Sequence, residues 1–340
     1  MLTLIYFILI LGFIVLIHEG GHFFFAKKAG IYVYEFSIGM GPKIFKWKRK
    51  GDETQYSIGI FPIGGYVQMA GESVEDDKSI PKDRTMQAKT WLQRFLTMIA
   101  GVMMNFLLAI VLLFVVALLN GAPSKEVYVA TVTDDSAASI AGMRTGAQIT
   151  KFNGKKVNSS DKLMLEIAVN SGKTITLELD GKDSITITPT EDESGNFRYG
   201  FGVKNEIHKG FLASLKYAFT KFFALIEQMF MIIWYLITGK LSLNNLSGPV
   251  GIYNLVGETA KTGFANVLYL VGYLSLNVGF INLLPLPAFD GGRVLFLAIE
   301  KIKGKPVSPK VENTVHAIGF ALLMLLMIAI TFNDIRRLFF

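Results

Sequence analysis

The residues best able to do chemistry are His18-Glu19-Gly20-Gly21-His22, an H-E-x-x-H motif inside the run LGFIVLIHEGGHFFFAKK (Leu11 to Lys28). On a helix, positions i and i+4 share a face, so both imidazoles can converge on one ion. Neutral imidazole is a good zinc ligand, and a glutamate beside the first histidine can take a proton from metal-bound water. Two of only four histidines fall at this spacing. The chain has no cysteine, so thiolate ligands, disulfides and thiol catalysis are excluded and any metal must be held by histidine and carboxylate. Asp290, in Asn282-Leu-Leu-Pro285-Leu-Pro287-Ala-Phe-Asp290-Gly291-Gly292-Arg293, is the carboxylate that would complete a His-His-Asp site, leaving a fourth position for water. The two prolines ahead of it break a helix and free backbone groups, which membrane depth tolerates only where protein or a cavity satisfies them.

The elements that must position these groups are membrane helices. The 340 residues are 51% hydrophobic, with a net charge of +7 and a mean hydropathy of +0.42. That composition suits a polytopic membrane protein with one soluble insert. The charge is explained by basic membrane-flanking loops, and no basic tract interleaved with aromatics points to nucleic acid. About 20 apolar residues cross a bilayer. Leu2 to Ala26 supplies that length, and it lacks the basic start and small-residue cleavage site of a signal peptide.

Lys27 to Lys50 carries seven basic residues and one acid, Glu35. The positive-inside rule makes this loop cytoplasmic, with the N-terminus outside and the motif toward the cytoplasmic face. Gly51 to Gly71 alternates weakly, turns at Pro62 to Gly65 and predicts a β-hairpin with an apolar tip of Ile60, Phe61 and Ile63, lying in the cytoplasm or dipping into the interface. Glu72 to Lys89 is polar and predicted to be exposed. Trp91 to Leu119 is a second span, interrupted by Gly101 and Asn105. Val127 to Glu206 is polar, with strands predicted at YVATVT, TITLELD, SITITPT and FRYGFGV and an amphipathic helix at Asp161 to Asn170. Its run from Ser136 to Ala147, followed by ITKFNGKKV, resembles the PDZ signature of bacterial proteases, with Ala147 where those domains carry Asp and Ala137 where they carry Pro. Such a domain either captures a peptide by strand addition or acts as a steric filter.

Val267 to Leu286 and Val315 to Phe332 are further spans. The loop from Glu300 to Lys310 carries Lys301, Lys303, Lys305 and Lys310 and should be cytoplasmic. Parity then makes Phe211 to Thr238, whose apolar stretch Phe222 to Thr238 is interrupted by Glu227 and preceded by Lys216 and Lys221, a brace lying at the outer surface. Four spans put Asp290 in the same leaflet as His18 and His22, whereas five would put it in the opposite one. The tail with Arg336 and Arg337 runs against this orientation; the other two basic loops agree with it. The fold expected is thus a mainly α-helical polytopic membrane protein of four transmembrane helices, with a cytoplasmic-side β-hairpin and an inserted α+β PDZ domain. Its parts are residues 1–121, a first membrane segment; 125–206, the PDZ; 207–262, the brace; and 263–340, a second membrane segment.

HEGGH in the first span, N-x-x-P-x-x-x-x-D-G in the third and the PDZ between the second and third resemble the site-2 protease family, in its bacterial single-PDZ branch. The resemblance implies one catalytic Zn2+ held by His18, His22 and Asp290, with Glu19 as general base. It also implies substrate contact by Asn282, by Asn105 in A-G-x-x-x-N-F, and by the membrane-associated β-loop, here Gly64, Gly65 and Tyr66. The implied substrates are transmembrane segments of single-span proteins (anti-sigma factors or remnant signal peptides) in a bacterial cytoplasmic membrane, with both termini and the PDZ outside. The implied partners are those proteins, the lipid bilayer and a peptide C-terminus at the PDZ; nucleic acid is not among them. Gly20 stands where the family has a bulky residue, Phe289 where it has Leu and Val102 where Pro is common, and none of these removes a ligand or the base. His208 and His316 receive no role. The competing reading is a non-enzymatic membrane PDZ adaptor with a structural metal. A transporter is disfavoured by the lack of an inverted repeat.

Overall fold

The computed structural model describes residues 2–72, 79–192, 195–242 and 246–339, with the side chains of residues 62, 63, 309 and 337–339 left aside. The chain forms two compact units: residues 1–113 with 244–340, and residues 114–243.

In the first unit, α1 (Leu2–Lys28) carries the H-E-x-x-H motif. Its N-terminal half packs Phe7, Ile10 and Ile14 against Val256 of α6 (Pro249–Lys261) and against Leu270, Val271 and Leu274 of α7 (Phe264–Leu283). Its C-terminal end packs Ala26 with Val33, Phe36, Val67 and Met69 of two strands, β1 (Val33–Lys48) and β2 (Gln55–Met69). α2 (Trp91–Asn120) lies against both α1 and α7 where side chains are small. A Cβ on Gly21 would stand 2.5 Å from the Ala100 carbonyl oxygen, and one on Gly279 would stand 2.8 Å from the Phe106 ring. Small residues are what let apolar helices approach this closely in lipid.

The predicted hairpin does not form within Gly51 to Gly71: β2 runs through Pro62 to Gly65 as one strand, and its residues 55–58 and 65–68 each pair with β1 and not with one another. Gly51 to Gly71 contributes one strand and a turn, and the partner strand comes from Val33 to Lys48, which composition marked only as a basic loop. The three lysines of β1, Lys43, Lys46 and Lys48, all fall in its largely exposed second half, while the first half buries Val33 and Phe36. Both strands bend, so that Phe36 lies opposite Tyr56 as well as Val67, and Ser37 opposite Ser57 as well as Tyr66. The bend needs glycine at Gly39 (φ +82°), where a Cβ would meet the Phe61 carbonyl at 2.7 Å. Ile60 and Phe61 are exposed, while the Ile63 side chain falls outside the described residues. Of the segment predicted to be exposed, residues 73–78 likewise fall outside, and Met86 is buried at 4% exposure.

After α7 the chain breaks over residues 284–289 and restarts as α8 (Asp290–Lys303), followed by α9 (Pro309–Phe339).

The second unit is an antiparallel sheet with helices. Its strands are β3 (Ala122–Val132), β4 (Gln148–Phe152), β5 (Lys155–Lys156), β6 (Ile175–Leu179), β7 (Asp183–Ile187) and β10 (Phe201–His208), ordered β10-β3-β4-β6-β7 with β5 beside β4. The short strands β8 (Thr190–Glu191) and β9 (Phe197–Arg198) pair separately. The four stretches expected as strands fall on β3, β6, β7 and β9–β10, and the expected helix is α4 (Ser160–Val169). Beyond these there are the short helix α3 (Ala137–Ile140), within the run from Ser136 to Ala147, and β4, which follows it. The core joins Val127, Ile149, Leu163, Ile175 and Leu177. α5 (Phe211–Ile237) belongs to this unit as one unbroken 27-residue helix.

Among the described residues five helices are long and apolar enough to cross a membrane: α1, α2, α5, α7 and residues Lys310–Arg336 of α9. By length and composition, α5 is an addition to the four spans expected.

Candidate metal and catalytic site

Three side chains from two distant segments meet in the first unit. The Nε2 atoms of His18 and His22 lie 3.3 Å apart. They stand 3.1 and 3.2 Å from Asp290 Oδ2. Among the described residues this is the one group of three or more such side chains spaced to hold a metal. A tetrahedral ion with bonds of about 2.0–2.1 Å has ligand atoms roughly 3.3 Å apart, so the three atoms form one face of such a site. The local setting agrees. Both histidines are 7% exposed, and Asp290 Oδ2 has no hydrogen-bond partner. A Cβ on Gly101 of α2 would stand 2.4 Å from His22 Nε2 and 2.7 Å from His18 Nε2, so only glycine leaves this space open. The His22 Nδ1–H donates to the Thr97 carbonyl at 2.8 Å, which leaves Nε2 with its lone pair facing the other two groups.

Asp290 is placed by the break. It opens α8, and the glycines behind it are required by close backbone approach: a Cβ on Gly291 would stand 2.3 Å from the Leu283 and Leu284 carbonyl oxygens, and one on Gly292 2.4 Å from that of Leu286. Ala288, two residues before Asp290, sits at φ +77°, a conformation that costs an alanine roughly 1–2 kcal/mol. Its N–H donates to His316 Nδ1 at 3.0 Å. His316 is therefore a site residue that the sequence did not reveal. A single histidine on an apolar helix carries no spacing to read, and its partner is a backbone group 28 residues away. α8 is tied to the start of α2 by the Trp91 Nε1–H on the Leu297 carbonyl (3.0 Å) and by the Arg94–Glu300 ion pair (2.7 Å).

Glu19 faces a cavity of about 400 Å3 bordered also by the three candidate ligands, Asn282 and Tyr66. Gly64 and Gly65 line the same cavity, and a Cβ on Gly65 would meet the Ser37 carbonyl at 2.8 Å and Glu19 Cγ at 3.3 Å, so glycine lets β2 run beside the glutamate. Asn282 donates its side-chain N–H to the Val278 carbonyl at 2.9 Å. The Tyr66 hydroxyl donates to Glu35 at 2.8 Å. Burial, then this bond to a carboxylate, pushes the phenol up to about 12, so it stays protonated at physiological pH. Asn105 does not border the cavity: it is fully buried, with its amide 3.2 Å from His18 Nδ1. Arg293, one turn after Asp290, pairs with Glu72 at the cavity edge.

Two histidines, a carboxylate and a cavity-facing glutamate on an apolar helix define the class of membrane metallohydrolases. The model of Peptidase family M50 matches residues 6–326, and the chain belongs to that family. It is 34% identical to the zinc metalloprotease RasP of Bacillus licheniformis and to the regulator of sigma-W protease RasP of Bacillus subtilis, covering 99% of this chain and 99% of each relative. It is 37% identical to a putative zinc metalloprotease of Clostridium perfringens, covering 98% of both chains.

Proposed function

We propose that this chain is an intramembrane zinc endopeptidase that hydrolyses a peptide bond within the transmembrane segment of single-span proteins, anti-sigma factors or remnant signal peptides. The observation that carries the reading is the meeting of His18, His22 and Asp290 at 3.1–3.3 Å on the cavity that Glu19 also faces. His18, His22 and Asp290 hold the ion. When bound, zinc supplies Lewis acidity at its open coordination position. Glu19 takes a proton from the attacking water and returns it to the departing amine. Its carboxylate lies on the helix that carries both histidine ligands, so base and metal site keep a fixed relation. The Asn282 amide, at the cavity wall, donates toward the carbonyl oxygen that gains charge.

A helical substrate has its carbonyls bonded internally and must unwind to be cut. Gly64, Gly65 and Tyr66 run beside Glu19, and an unwound segment laid along them gains main-chain hydrogen bonds as an added strand. Residues 125–206 are assigned as the PDZ domain, whose sheet has β10 at one edge, the place where a peptide terminus would add as a strand. The molecule lies in a bacterial cytoplasmic membrane with four crossings, the PDZ and both termini outside, and the site toward the cytoplasm. α5 does not cross: Lys221 pairs with Asp161 of α4, Glu227 with Lys162 at 2.7 Å, and the Tyr235 hydroxyl donates to Glu166 at 2.9 Å. A helix bound along half its length to the charged face of a polar domain is not one surrounded by lipid.

The test is cleavage of a single-span substrate by purified protein in detergent. Glu19→Gln is expected to lose at least 100-fold in rate while retaining zinc, and Asp290→Ala to lose zinc itself. Cleavage that survives Glu19→Gln would remove the mechanism and favour the adaptor reading.

A further inference from the structure

We propose that Asn105 is a positioning residue of the metal centre: its side-chain oxygen accepts the His18 Nδ1–H and so fixes the tautomer in which Nε2 keeps its lone pair for the ion. The proposal rests on the zinc-site reading above and gives Asn105 a role other than substrate contact.

The argument starts from the difference between the two rings. A neutral imidazole has one N–H, and a ring nitrogen that binds metal must be the bare one, so its other nitrogen carries the proton and needs an acceptor. For His22 that acceptor is beyond ambiguity, because the Thr97 carbonyl 2.8 Å from Nδ1 can only accept. For His18 the atom at Nδ1 is the Asn105 amide nitrogen, 3.2 Å away. An amide has a donor end and an acceptor end of nearly equal shape, and half a turn about its last torsion exchanges them. With the nitrogen toward the ring, Asn105 donates to Nδ1 and the ring proton moves to Nε2, where it faces Asp290 and His22 and blocks ligation. The Asn105 oxygen is then buried with no partner. With the oxygen toward the ring, Nδ1–H is bonded and Nε2 is bare. Ion binding and amide orientation are thus coupled.

The placement of Asn105 shows the same logic. Thr97, Gly101 and Asn105 follow one another at i, i+4 and i+8 on α2, a single stripe facing α1. The first supplies the acceptor for His22. The second leaves the space beneath both Nε2 atoms. The third stands at His18. Asn105 is held there from behind, since its backbone carbonyl accepts the Ser275 hydroxyl of α7 at 3.0 Å. It is 0% exposed and does not line the cavity where a substrate would lie.

The experiment measures the zinc dissociation constant of the full-length protein in detergent by competition with a chromophoric chelator, without substrate. Asn105→Leu, close in size and without an acceptor, is expected to bind zinc 10–100-fold more weakly. Asn105→Asp, which keeps an oxygen acceptor, is expected to stay within a few-fold of wild type. Equal zinc affinity in Asn105→Leu and wild type, with any defect confined to KM, would overturn the proposal in favour of substrate contact. So would Asn105→Asp binding as weakly as Asn105→Leu. A readout independent of variants is the nitrogen-15 spectrum of histidine-labelled, zinc-loaded wild type, in which both motif imidazoles are expected as Nδ1–H tautomers. A His18 ring protonated at Nε2 would refute it. If Asp290→Ala binds zinc as wild type does, the metal site itself has been misassigned and both readings fall together.

Discussion

Two adjacent glycines separate the histidines, and the structure gives them opposite tasks. A Cβ on Gly20 would meet nothing within 4 Å, whereas one on Gly21 would stand 2.5 Å from the Ala100 oxygen and 2.9 Å from Met104 Cγ. Gly20→Ala is therefore expected to stabilise the protein by about 0.5–1 kcal/mol, the ordinary helix preference for alanine. Gly21→Ala is expected to cost about 1–3 kcal/mol by forcing α1 off α2, and to weaken zinc binding as well, since the histidines ride on α1. Thermal unfolding of both variants in detergent checks this, and a Gly21→Ala protein as stable as wild type would refute the close-contact argument. At this scale the meeting of His18, His22 and Asp290, the proposed metal triangle, was the most legible part of the chain. The i, i+4 histidines and the Asp after a double proline announce themselves by type and spacing. Gly21 and Gly101 do not, because what makes them glycine is a backbone on another helix.

The element that decides the site is the break between α7 and α8. Prolines 285 and 287 were readable as a break, and Asp290 as the residue beyond it. What holds the break in place was not, because the contacts come from α9. A Cβ on Gly319 would stand 2.2 Å from Pro287 Cβ, and His316 accepts the N–H of the left-handed Ala288. Removing that acceptor leaves a partly buried N–H unpaired, at a cost of about 1–3 kcal/mol. His316→Leu is thus expected to lower the unfolding temperature and to loosen zinc through Asp290. His316→Asn, whose side-chain oxygen can accept, should recover part of both. Zinc affinity unchanged in His316→Leu would mean that α8 is held well enough by Trp91 and Arg94 alone. β1 was missed for a different reason: the five basic residues between Lys43 and Lys50 mask a strand whose first half, through Val33 and Phe36, closes against the C-terminal end of α1.

For the whole molecule the open quantity is the number of crossings, since α5 qualifies by length and composition as well as the other four. The geometry of the first unit bears on it. His18 and His22 lie in the second half of α1 and Asp290 just beyond the end of α7, while the first halves of the same helices pack together through Phe7, Ile10 and Leu270. α1 and α7 therefore run in the same direction. In the orientation proposed, α2 returns the chain to the outside; a crossing by α5 would then deliver it to the inside and reverse α7, carrying Asp290 to the wrong leaflet. α6, at 13 residues, is too short to restore the count. The absence of cysteine makes the test clean, because every introduced thiol is the only one present. Lys209→Cys and Lys240→Cys, at the two ends of α5, are expected to react with a membrane-impermeant maleimide on intact cells stripped of their wall. Lys303→Cys, at the end of α8, should react only after the membrane is opened. Labelling of residue 240 only after opening would make α5 a span, and the direction of α7 derived from the histidine–aspartate contact would then be wrong.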